Sequence, residues 1–295
     1  FRSACNIGIF DNALEEIVFD VNDFDESFIG NFQYDVWRMA ISIVLIAKEI
    51  LDLPEKKTAK LIKKFAKQYL KTMNKYDGNN KALSLNFAKE NTKSRLKKRL
   101  KKTEDEEGVD EMLERWTRVE NNHRTFNYED NEIAKLTDEK RQEIASALPD
   151  YGKTLSGQLS YDEKYFKIKD IAERLFAGTG SLGTPRYYVL IDGASPTDCE
   201  TCRILDIKKQ KKPTAYRFMN DIEKAAFDKR FPSQAKRFVE ANNVFIRQPD
   251  NHLGLMILSD GEYSVRQRSP YKADVEYENI DKKKHLKKQT KQWAK

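Results

Sequence analysis

Three glycines stand between two segments that both read as strands, and this narrows the fold more than any other feature of the chain. The segment KYFKIKDIAERLF runs into AGTGSLG, which holds Gly178, Gly180 and Gly183, and then into RYYVLIDG. A glycine loop that opens a helix can seat a phosphate on the helix N-terminus, as dinucleotide fingerprints and Walker loops do. Here the following residues are aromatic and β-branched, so the loop joins strand to strand and both of those folds are excluded. The turn ASPTDCETC and a third strand, RILDIKK, come next. PSQAKRFVEANNVF then reads as a helix, and LGLMILSDGEYSVRQRSP as a hairpin turning at Ser259-Asp260-Gly261.

The first half has a different texture. IGIFD and IVFDV suit two strands joined by a turn, and an acidic loop leads to a helix opened by Asp35. That helix, VWRMAISIVLIAKEI, is apolar almost all round and is expected to be central. A second helix repeats Leu61, Phe65 and Tyr69 on one side with lysines opposite. The longest apolar stretch, Met39 to Ala47, is far short of the roughly 20 residues a membrane span needs. The charge surplus of +7 could favour an anionic partner, but lysines scattered along solvated helix faces would produce the same number. The block RLKKRLKK carries Leu96 and Leu100 four apart and has no aromatics beside it for base stacking, so an ordinary amphipathic helix is expected there rather than a nucleic-acid surface. Three cysteines make no disulfide framework, which points to a reducing, cytoplasmic setting. Phe1 at the start and a helix still running at LKKQTKQWAK suggest a piece lacking both ends.

Two constellations carry chemistry. Asp20, Asp23, Asp25 and Glu26 crowd the end of a strand, and carboxylates so close repel unless a hard cation such as Mg2+ joins them. The alternative is a solvated acidic turn. In RILDIKK either Lys208 or Lys209 could face a phosphate, and strand alternation alone does not choose. Cys199 and Cys202 form a C-x-x-C without further zinc ligands nearby, and His123, His252 and His285 show no partner pattern and are assigned to surface or loop.

DFDESFIGNFQYDVW resembles the aminoglycoside-phosphotransferase and choline-kinase branch of protein-kinase-like enzymes. The resemblance implies that Asp23 is the ligand of ATP-bound magnesium, with Asp25 and Asp20 in reserve, and that Asp35 anchors a core helix. In that branch an Asp-x-His-x-x-Asn loop lies upstream; here only its metal-binding Asn6 remains, and Phe1 and Ser3 occupy the places of Asp and His, so no catalytic base is assigned. The same resemblance makes Gly178 to Gly183, with Ser181, the loop over the ATP phosphates, Lys208 the phosphate-contacting lysine and Glu240 its partner. FDVNDFDE, GNFQYDVWR, GTGSLGTPRYYVL, LDIKK and VRQRSP together resemble a bacterial family numbered 2252 among the domains of unknown function, from residue 6 to about 275. Lys209-Gln210 and Gln267 depart from its usual pattern.

The expectation is therefore an α+β, protein-kinase-like two-lobe fold, circularly permuted, with a helical metal-binding part over residues 1–150 and an ATP-clamping sheet part over 151–295. The expected activity is transfer of the ATP γ-phosphate to an unknown hydroxyl-bearing acceptor, with ATP and Mg2+ as cofactors. The alternative is a catalytically inactive nucleotide-binding or scaffolding module.

Overall fold

The computed structural model describes residues 7–121, 123–175, 183–194, 201–271, 273–274, 280 and 282–294. The fold is mixed α/β. Its centre is a six-stranded sheet in the order β5-β6-β7-β8-β10-β9, antiparallel throughout. The strands are β5 (Ile133–Lys135), β6 (Ile168–Arg174), β7 (Arg186–Ile191), β8 (Arg203–Lys209), β9 (Gly254–Leu258) and β10 (Gly261–Gln267). Tyr187 to Ile191 are all buried because both faces of the sheet are covered. Helix α5 (Asp138–Gly152) packs Ile144, Leu148 and Tyr151 against Val189, Leu205 and Ile207 on one face. On the other, α4 (Val109–Trp116) and a hairpin of β3 (Thr117–Glu120) and β4 (His123–Phe126) press Trp116 and Phe126 on Tyr188 and Ile204. Each such aliphatic side chain contributes about 2 kcal/mol by leaving water.

Between β8 and β9 the chain forms α6 (Asp221–Arg230) and α7 (Gln234–Phe245). The start of α7 is held to the β9–β10 hairpin by Glu262, whose carboxylate accepts from Ser233 Oγ (2.8 Å) and the Gln234 amide (2.7 Å). An acceptor there satisfies helix donors that otherwise lack a partner.

A second, three-stranded sheet pairs β1 (Ile7–Asp11) with β2 (Ile17–Val21) on one side and β11 (Ala273–Asp274) on the other. Ile9 and Phe19 bury against Leu96 and Leu100 of α3 (Ser94–Glu106), so the leucines of the basic block face a core. Helices α1 (Gln33–Leu45), α2 (Glu55–Tyr76) and α8 (Lys283–Trp293) share the cluster of Ile43, Ile46, Phe65 and Leu286. Helix α1 is not buried all round as its sequence suggests: Trp37 is 55% and Ile41 57% exposed, because among the described residues its packing partners lie on one side only. Three elements bridge the expected 150/151 boundary: β5 pairs with β6, β11 with β1, and α8 packs with α2. Among the described residues no helix is long and apolar enough to cross a membrane.

Candidate functional site

The loop after β2 crosses to the six-stranded sheet and is fastened there twice. Phe24 buries with Phe238 and Val239 of α7 and stacks on Phe245, with ring centres 5.9 Å apart. Arg237, 1% exposed, then clamps the loop backbone, donating to the carbonyls of Ser27 (2.6 Å) and Asp25 (2.8 Å) and to that of Lys211 (3.0 Å). A buried guanidinium is tolerated because its donors are matched by carbonyl oxygens and the Asp25 charge lies near.

These anchors hold Asp25 under the end of β8. Lys208 Nζ donates to Asp25 Oδ2, and Gln210 Nε2 donates to Asp25 Oδ1 (2.8 Å) and to Ser264 Oγ of β10 (2.9 Å). Burial alone would raise the Asp25 carboxyl, but the Lys208 charge, the bonds from Lys208 and Gln210, and Arg266 carry it below the usual carboxylate range. Asp23 sits beside it and moves the other way. Burial by the surrounding protein and then the Asp25 charge raise it, against the pull of Lys208 and Arg266. The two carboxyls thus divide their roles, Asp25 anionic and Asp23 the more readily protonated.

Two residues further along the same face of β8, Asp206 receives a bidentate pair from Arg186 of β7, with Nε at 2.6 Å from Oδ1. Arg266 Nε stands 3.9 Å from the same carboxylate. Lys209 points to the opposite face and bonds Asp260 (3.0 Å), so the period-2 alternation of a strand, which could not choose between the two lysines, is resolved by where the acidic loop docks.

Several expected members are placed elsewhere. Glu240 does not meet Lys208; it pairs with Arg230 (2.7 Å) at the surface, because α7 turns Arg237 rather than Glu240 toward the loop. Asp20 stays in the β1–β2 ladder opposite Gly8, accepting from the Val21 amide (2.8 Å), and its burial lifts its pKa to about 6. Among the described residues no group of three or more His, Cys, Asp or Glu side chains is arranged to hold a metal ion, and Asp20, a reserve candidate, lies in the ladder apart from the bonds that hold Asp25. The Lys208 ammonium supplies positive charge to Asp25 and, less directly, to Asp23. Asn6, Gly178, Gly180, Ser181, Cys5 and Cys199 lie outside the described residues; Gly183 is described, with φ of +66°, and Cys202 is buried. His252, expected at the surface, is 5% exposed, with Nδ1 at 3.1 Å from Asp250 and Nε2 at 2.8 Å from the Tyr165 hydroxyl.

Asp23 and Asp25 are the residues here that could hold a hard cation, since Mg2+ takes one or two carboxylates and completes its shell with water and substrate phosphates. Asp206 was legible as the i−2 neighbour of Lys208 on one strand face; Arg237 and Gln210 carried no sequence signal, since their partners are loop backbone and a carboxylate 185 residues away.

The model of a family described as "Uncharacterized protein conserved in bacteria (DUF2252)" matches residues 4–295. No curated protein and no solved structure matches the chain.

Proposed function

The chain belongs to that bacterial family, and from this premise we propose that it is a kinase-like phosphotransferase whose nucleotide phosphates are held at Lys208, Asp23 and Asp25. The observation that carries the reading is the meeting of Lys208 with Asp25, a strand lysine and a loop carboxylate from opposite ends of the chain. The strand order supports it. In sequence the glycine segment lies between β6 and β7, Lys208 is the last residue but one of β8, α6 and α7 follow, and the β9–β10 hairpin closes the sheet beside β8. That succession of glycine loop, lysine strand, helix and hairpin is what a phosphate-clamping lobe requires, and placing the acidic loop first in sequence is a circular permutation that leaves the spatial site intact.

In this reading Lys208 holds phosphate oxygens, while Asp23 and Asp25 hold Mg2+, which neutralises phosphate charge. Gln210 and Arg237 position Asp25, the first through its side-chain oxygen and the second through its backbone. Arg186 and Arg266 add positive potential behind the lysine without contacting the acidic pair. Catalysis of this kind rests on positioning and charge neutralisation.

The saturated bonding of Asp25, with both oxygens accepting, favours a second reading as a catalytically inactive nucleotide-binding module. Thermal unfolding separates both readings from no binding, and release of γ-phosphate separates them from each other. Mg·ATP is expected to raise Tm, and Asp23→Ala and Lys208→Met are each expected to remove the rise. An equal rise in both variants overturns the site assignment. Release of γ-phosphate during prolonged incubation, lost in Asp23→Ala, selects the enzyme over the inactive module.

A further inference from the structure

A cavity of about 340 Å3 opens behind the Arg186–Asp206 pair, between the end of β1, the 250–253 loop and the segment leaving β10. None of Asp23, Asp25, Lys208 or Gln210 lines it, so it is a compartment distinct from the proposed phosphate centre. Arg186, Asp206 and Arg266 form the wall between the two.

Its charges are unevenly satisfied. Asp206 is taken by Arg186, and Asp250 by the His252 ring and the backbone amides of His252 and Gln267. Asp11 is pushed up, first by burial and then, against its bond to Ser269, by the nearby Asp250 charge, which leaves it closer to neutral. On the cationic side, Arg203 bonds only to the carbonyls of Thr201 (2.9 Å) and Cys202 (3.2 Å) among the described residues. Arg268 reaches the Ser269 carbonyl (3.3 Å) and lies over Trp116 at 4.8 Å. Two guanidinium forks that line a cavity and meet carbonyls rather than carboxylates are suited to an anion from the ligand.

A second feature sets what else the ligand carries. The chain Asp250–His252–Tyr165 runs along the cavity wall, with His252 buried and Asp250 half-buried. In the neutral ring tautomer with Nδ1–H given to Asp250, Nε2 accepts the Tyr165 proton, and the oxygen of Tyr165, which lines the cavity, can accept from a donor there.

We propose that this cavity binds a small hydroxylated acid, its carboxylate or phosphate between Arg203 and Arg268 and a hydroxyl donating to Tyr165. The site does not depend on the nucleotide assignment, since none of Asp23, Asp25, Lys208 and Gln210 lines it.

Glucose 6-phosphate, gluconate and glucose, titrated at fixed ionic strength and followed by thermal unfolding, are the probes. The first two are expected to stabilise the protein and glucose to have no effect. The variant Arg203→Gln/Arg268→Gln is expected to weaken the response by at least about tenfold, while Lys208→Met leaves it unchanged and loses only the Mg·ATP response. Should the double variant fold poorly, phenylglyoxal labelling of the wild type tests the same contacts, with glucose 6-phosphate and not glucose expected to shield Arg203 and Arg268. Equal responses to all three compounds, no response to either acid, or a response lost in Lys208→Met overturns the site.

Discussion

Lys208 and Asp25 form an ion pair across 183 residues of chain, joining the end of β8 to the loop that follows β2. Glu240, the acid that the protein-kinase resemblance assigns to this lysine, is engaged with Arg230 instead. The lysine is therefore neutralised by the same carboxylate that is proposed to hold Mg2+. This couples the sheet to the acidic loop, and a phosphate arriving at Lys208 would compete with Asp25 for the ammonium.

With side chains 18% and 26% exposed, the pair is mostly withdrawn from water, so losing one partner strands the other's charge. Lys208→Met and Asp25→Asn are each expected to lower unfolding stability by about 1–3 kcal/mol. Combining them should cost less than the sum, with a coupling of about 1 kcal/mol. Urea denaturation of the four proteins in the cycle measures this, and strict additivity would refute the pairing.

Asp20 gives the protein a pH dependence of defined sign. Its folded pKa of about 6 lies above the ordinary 3.8, so the folded state binds the proton more tightly than the unfolded chain. The resulting stability is fully present below the ordinary value and is lost as pH rises through about 6. Asp20→Asn, which keeps an acceptor for the Val21 amide, should therefore gain about 2 kcal/mol at about pH 7.5 and almost nothing at about pH 4. A gain independent of pH would show that Asp20 is not the titrating group.

Arg237 is the mechanical link between α7 and the acidic loop. Arg237→Lys keeps the charge but cannot reach the carbonyls of Phe24, Asp25, Ser27 and Lys211 together. A loss of about 3 kcal/mol is expected, with a weakened Mg·ATP response even at temperatures where the variant is fully folded. A variant with wild-type stability and wild-type binding would remove Arg237 from the positioning role.

Glu240 supplies the contrast. Its pair with Arg230 is largely solvent-exposed, and Glu240→Ala is expected to change stability by no more than about 0.5 kcal/mol. The Mg·ATP shift should survive intact. Loss of that shift would return Glu240 to the site.

What could be read from the sequence was local or periodic. The strands around residues 168–191, the hairpin at Ser259-Asp260 and the leucines of the basic helix follow from alternation, turn chemistry and helical spacing, and these patterns are written in adjacent residues. Asp23, Asp25 and Lys208 entered as candidates through the family resemblance rather than through periodicity. Their pairing was not legible in the sequence. Strand alternation leaves Lys208 and Lys209 equivalent until a loop docks on one face, and helix periodicity cannot tell whether Arg237 or Glu240 turns inward until α7 is packed. Tertiary structure alone decided that His252 is buried against Asp250 and Tyr165, that α1 is covered on one side, and that Asp25 rather than Glu240 answers Lys208. Each of these depends on contacts between residues far apart in the chain, and an electrostatic preference acts only once packing has set the distance.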